Sequence, residues 1–194
     1  MLVVSRFNNE TFANNLEYRK KHGFVCIYGS PSKLKCRLSL PASFSSYALS
    51  SVAVFVIEMN LFENKIEGIG LIRNRVYDDR YYLIYPKHGN YNRYTYIGKY
   101  YLNRKQLVVH EPAQAFIQDL ESVLFRGKGH LKRGNGFTCV TEKVLKRMSS
   151  PISPSRAFET VQQCFKDSFG DQLFLANPLV PAALAPAVPA ATTI

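Results

Sequence analysis

The hydrophobic pattern changes period several times along the chain. Between residues 9 and 22 the spacing predicts a helix. Phe12, Leu16 and Arg19 fall on one face, Asn8 or Asn9 can cap its start, and Gly23 can end it. Residues 24–28 (FVCIY) form a short apolar run closed by Gly29, Ser30 and Pro31, which predicts a strand and a turn. Residues 33–40 alternate basic or polar with apolar positions and suit an edge strand, and the serine-rich stretch 41–51 suits a loop. Residues 51–59 (SVAVFVIEM) are β-branched and almost continuously apolar, the pattern of a strand covered on both faces. A turn at 60–64 leads to a hairpin partner at 65–74. Gly68 and Gly70 share one face of that partner and imply a bulge, or a backbone or ligand lying close against it.

Farther on, strands are expected at 81–85 and 93–102 with a turn at 86–90 between them. Residues 111–125 repeat apolar positions at Phe116, Leu120, Val123 and Leu124, a helical period begun by Pro112. A glycine- and lysine-rich loop at 126–136 precedes a short helix at 141–148 capped by Thr141. After a break at 149–153, Ser153 and Pro154 start another helix, with Phe158, Val161, Phe165 and Phe169 on its apolar face and Gly170 as its stop. From residue 172 onward there is no charge, and prolines at 178, 181, 186 and 189 forbid a regular helix. The expected organisation is a basic α+β domain over 1–148, a C-terminal helix over 149–171 and an extended Ala/Pro-rich tail over 172–194, with residues 153–194 able to meet a protein partner.

Charge alters this picture more than composition does. Lys and Arg total 25 against 14 Asp and Glu, a formal net charge of +11. Such an excess opposes compaction and draws anionic partners, of which nucleic acid is the commonest. The four cysteines (26, 36, 139 and 164) are scattered, with no C-x-x-C pair, so neither a zinc site nor a disulfide framework is expected. The histidines do not pair at metal-ligand spacing, Asp78 and Asp79 suit a turn, and no nucleotide-binding fingerprint occurs. No catalytic residue, metal or cofactor is expected, and the chain does not read as an enzyme. A metal-dependent nuclease would need carboxylates gathered near His88 or His130. With no secretory leader and no apolar run long enough to span a membrane, an intracellular or virion location is expected.

Two stretches carry candidate chemistry. Nine of the twelve tyrosines lie between Tyr77 and Tyr101, interleaved with cations. Aromatic faces stack on bases and cations follow phosphates, so Arg73, Arg75, Tyr85, Lys87, Asn90, Tyr91, Asn92, Arg93, Tyr94 and Lys99 are candidate nucleic-acid contacts. Tyrosine is equally at home at a sheet rim, with its ring packed and its hydroxyl wet. The second stretch is the loop, where four glycines and four cations alternate. Backbone N–H groups can approach phosphate there, and Arg126, Lys128, His130, Lys132 and Arg133 are its candidate contacts. It lacks the G-x-x-x-x-G-K-[ST] spacing of a nucleotide-hydrolysing P-loop.

The run from Val52 to Leu71, a buried strand, a turn and a second strand carrying G-x-G, resembles the central hairpin of PUA-like β-barrels, the superfamily of EVE, YTH and ASCH domains. The resemblance spans residues 24 to about 107. It implies a small curved mixed β-barrel flanked by helices, holding one flipped-out base in an aromatic pocket. This chain has no tryptophan, so that pocket would fall to Tyr85, Tyr91 or Tyr94. The segments EMN…GIGLIRN, GNYNRYTY-x-GKY and LFRGKGHLKRGNGF also resemble a protein group of large nucleocytoplasmic DNA viruses. Two functions are thereby expected: a DNA- or RNA-binding module, or a structural virion component acting through protein contacts.

Overall fold

The computed structural model describes residues 1–35, 52–109 and 111–170. The β-branched run becomes the middle of a five-stranded sheet built from β1 (Leu2–Phe7), β3 (Ala53–Asn60), β4 (Lys65–Arg73), β6 (Tyr100–Asn103) and β7 (Thr138–Cys139). Their order in space is β6-β4-β3-β1-β7. β1 runs parallel to β3, with Leu2 beside Phe55 and Phe7 beside Asn60, and the other neighbours are antiparallel. A separate two-stranded ribbon pairs β2 (Cys26–Ser30) with β5 (Tyr94–Gly98). Among the described residues the helices are α1 (Asn9–His22), α2 (Arg104–Leu107), α3 (Glu111–Phe125), α4 (Glu142–Leu145) and α5 (Pro154–Phe169).

The α+β class is as expected, but the sheet does not close into a barrel. It is open, ending at β6 on one side and at the two-residue β7 on the other. The chain also changes layer at Lys99. The single strand expected over 93–102 is divided there, its first half pairing with β2 in the ribbon and its second half with β4 in the sheet. Gly98 lies so close to the Leu71 carbonyl that any β-carbon would overlap it, which lets the chain cross from one layer to the other.

Period-two alternation divides the sheet into two faces. Val4, Phe55, Ile57, Met59 and Ile69 face the helices, where Ile117, Leu120, Leu124, Val161 and Phe165 complete a core. Phe55 meets Phe158 and Phe165 at ring separations of 5.1 and 5.0 Å, so α5 shares this core with α3. Val3, Val54, Val56 and Ile72 face the ribbon and pack on Ile27, Tyr28, Ile84, Tyr85 and Tyr96.

Several local expectations shift. α1 begins with an Asn8–Thr11 capping box and ends at left-handed Gly23, but its buried residues are Asn15 and Arg19, while Leu16 is exposed. Residues 81–85 form no strand. Their backbone is held instead by the buried Asn92 side chain, which accepts from Ile84 N and Tyr85 N at 3.0 and 2.9 Å and donates to Tyr85 O at 3.0 Å. Residues 33–35 lie in no strand, and the rest of the expected edge strand, the 41–51 loop and the 172–194 tail fall outside the described residues. Among the described residues no helix is long and apolar enough to cross a membrane.

Candidate nucleic-acid interface

The loop at 126–136 is more ordered than its composition suggests. Gly127, Gly129, Gly134 and Gly136 all take positive φ, conformations that L side chains rarely adopt. Two arginines from outside the loop fix its carbonyls. Arg147, just beyond α4, donates to Lys128 O (2.7 Å), Gly129 O (2.9 Å) and Val123 O (3.1 Å). Arg6, at the end of β1, donates to Leu131 O, Gly136 O (3.1 Å) and Thr138 Oγ1 (2.7 Å). Burial pulls the Arg6 pKa down and nearby Tyr91 opposes that pull. With several carbonyls turned to these guanidinium groups, the loop leaves Arg126, Lys128 and Arg133 exposed. Lys132 and His130 are half-buried. The Lys132 ammonium donates to Asn64 Oδ1 at 2.7 Å, and His130 Nδ1 accepts from Lys132 N at 3.2 Å.

The tyrosine-rich stretch reaches this loop at one point. A 3-10 turn (Gly89–Asn92) places Tyr91 so that its hydroxyl donates to Asn135 Oδ1 at 3.2 Å. Between the turn and the loop lies a cleft of about 270 Å³, lined by Arg6, Phe7, Asn8, Leu61, His88, Tyr91 and Lys132, among others. It sits where β1 gives way to α1, beside the β3–β4 turn. His88 Nε2 is buried there without a hydrogen-bond partner, and its closest carboxylate oxygen is Glu10 Oε2 at 4.0 Å. A larger depression of about 540 Å³ runs along α5. Its lining includes Arg156, Lys166, Glu159 and Asp167, two charges of each sign, so it offers an anion no net attraction.

The other expected contacts are dispersed. Asn90 is exposed in the 3-10 turn, and exposed Lys87 pairs with Glu10 at 2.9 Å. Arg93 is exposed over the half-buried Tyr94 ring (5.4 Å), which Lys33 also approaches (5.9 Å). Tyr85 and Asn92 are corrections. Tyr85 lines the floor of the cleft but is only 3% exposed, its hydroxyl accepts from Asn15 Nδ2 at 3.2 Å and burial raises its pKa, so it offers a base little ring surface. Asn92 spends its amide on the backbone of residues 84 and 85. Arg73 pairs with Ala53 at the far end of the sheet, about 20 Å of strand from Asn60 and the cleft. Arg75 and Lys99 follow at that end, with Arg75 over the Tyr77 ring at 5.6 Å. Of the nine tyrosines between 77 and 101, only Tyr81 is exposed. Among the described residues, the rings and cations expected together do not gather on a single surface.

A second polar cluster had no sequence forecast. Glu58 of β3 has no solvent exposure. It accepts from Tyr28 OH at 2.7 Å and Tyr101 OH at 3.0 Å, and from Arg19. Gly68 and Gly70 leave room for these rings, since a β-carbon at either would overlap a tyrosine hydroxyl. The close neighbours implied by the two glycines are thus Tyr101 and Tyr28, and a bulge lies beside them, where pairing slips between Glu58 and Met59. Burial alone would lower the Arg19 pKa, but Glu58 reverses this and the net shift is upward. Burial pushes the Cys26 thiol up to about 12. This cluster ties α1 and the ribbon to the sheet. Among the described residues no three His, Cys, Asp or Glu gather as metal ligands.

No family model, curated protein or solved structure matches this chain.

Proposed function

We propose that this protein binds DNA or RNA by its phosphate backbone, through the 126–136 loop and the cleft beneath it. One observation carries the reading: the Tyr91–Asn135 hydrogen bond sets the tyrosine-rich turn and the basic loop on two sides of one cleft. Lys132 and Arg6 line that cleft, and exposed Lys128 and Arg133 extend its positive field along the loop. Cations so grouped release counterions when phosphates replace them, which gives affinity without reading sequence. Tyr91 and His88, packed edge to face with ring centroids 6.5 Å apart, supply an aromatic wall to the cleft.

The test is fluorescence anisotropy of a labelled oligonucleotide across a salt series. Affinity is expected to fall with a log–log slope of about −0.7 to −0.9 per phosphate neutralised. The triple change Lys128→Ala, Lys132→Ala and Arg133→Ala is expected to flatten that slope and weaken binding. Absence of any salt-dependent binding at micromolar protein removes the proposal.

A further inference from the structure

The β3–β4 turn at residues 61–64 presents an aromatic ring that no sequence pattern singled out. Phe62 is 70% exposed, the most exposed of the large hydrophobic residues among those described. The turn that carries it is fixed. Asn60 Oδ1 accepts from both Phe62 N and Glu63 N at 3.1 Å, while Asn60 Nδ2 donates to Glu67 Oε1 at 2.8 Å. Asn64 takes a left-handed φ of 53° and receives the Lys132 ammonium. Leu61, on one side of Phe62, lines the cleft, and Lys132 joins the same turn to the basic loop. The acidic side chains nearby, Glu63 and Glu67, share the single cation Lys65 Nζ at 3.8 and 3.5 Å, and Lys132 at Asn64 brings a second positive charge to the turn.

We infer that Phe62 is a stacking residue for an unpaired base, so that the strand held by the loop is single-stranded. The inference rests on the phosphate-binding reading above and adds the class of nucleic acid to it. An exposed phenyl ring on a fixed turn loses little conformational entropy when a base stacks on it. Lys132 of the loop reaches the same turn at Asn64, which brings a cation to the element that carries the ring. In a duplex the base faces are already stacked on each other, so Phe62 would have none to meet.

The chain has no tryptophan, so Phe62→Trp adds a single indole reporter at this point. In the full chain its emission is expected to be quenched by a single-stranded oligonucleotide and left unchanged by the same sequence as a duplex. Phe62→Ala is expected to weaken single-strand binding roughly 5- to 150-fold with the salt slope preserved. Because the ring is exposed, both variants retain the fold, which thermal unfolding checks. If the unaltered chain binds no oligonucleotide, the phosphate reading fails and this inference with it. If it binds, but Phe62→Ala keeps full affinity and the indole is not quenched, only the stacking role is overturned. Equal quenching by duplex overturns the single-strand preference. Unchanged oligonucleotide affinity with loss of self-association in Phe62→Ala would assign the ring to a protein contact instead.

Discussion

Glu58 sits in the middle of the sheet, sealed from water, and its carboxylate is satisfied by two tyrosines and one arginine. Removing one partner from such a group leaves a charge that the interior cannot solvate. Arg19→Leu is expected to destabilise the fold by about 3–5 kcal/mol, read from urea unfolding. The Arg19 guanidinium also lies over the Tyr28 and Tyr101 rings at 5.3 and 5.0 Å, so Arg19→Lys recovers only part of the loss. Gly70 is constrained by the same cluster. Gly70→Ala forces a methyl group against the Tyr28 hydroxyl and is expected to cost about 1–3 kcal/mol. In a Tyr28→Phe background the obstructing oxygen is gone, so the two changes should combine to less than their sum in a double-mutant cycle.

At the scale of elements, the two arginines that fasten the basic loop matter more than the loop's own composition. Arg147 satisfies a carbonyl in the last turn of α3 and two in the loop. Arg147→Ala should leave global stability within about 1–2 kcal/mol of the original while hydrogen exchange across residues 126–131 accelerates. α3 is fastened to the next segment by Asp119, whose carboxylate accepts from Ser149 N (2.8 Å) and Ser150 N (3.0 Å). Partial burial works to raise the Asp119 pKa, but these hydrogen bonds outweigh it and the net shift is downward. A folded-state pKa below the unfolded one adds stability above the unfolded value, and that stability is lost as pH falls through the folded value. Asp119→Asn is therefore expected to lower the Tm near pH 6, and the gap should begin to narrow below about pH 4, where the unfolded carboxyl takes up its proton, and vanish only below the lower folded value.

For the whole molecule, the distribution of charge separates two ends of the sheet. Lys132→Ala or Arg133→Ala should each reduce the salt slope by about 0.7–0.9, whereas Arg75→Ala, near the opposite end, should leave it nearly unchanged. Much of the scaffold was legible from periodicity: β3, β4, α3 and α5 fall where their patterns place them because each packs one face on a core. Position in the sheet was not legible. The VVSRF run of β1 is short, and only its pairing with β3 and β7 makes it an inner strand. The 81–85 stretch carries strand residues yet finds Asn92 rather than a partner strand. In the candidate site, the loop cations were legible as charge, but the tyrosines were not legible as buried or exposed. Ring orientation depends on which layer each strand joins, and that is decided at Lys99. Arg6, Arg147 and Phe62 went unforeseen because their roles depend on contacts far away in sequence.

The location of β1 also dictates an order of assembly. Val3 faces Val56 on one side and Cys139 on the other. A ribosome makes β1 before either neighbour, so the strand waits unpaired while the β3–β4 hairpin, whose contacts are local, closes first. Its second edge stays bare until residues 138 and 139 emerge. A nascent chain arrested short of that point would expose an apolar edge to its neighbours, so chaperone dependence should drop once residue 139 has cleared the ribosome.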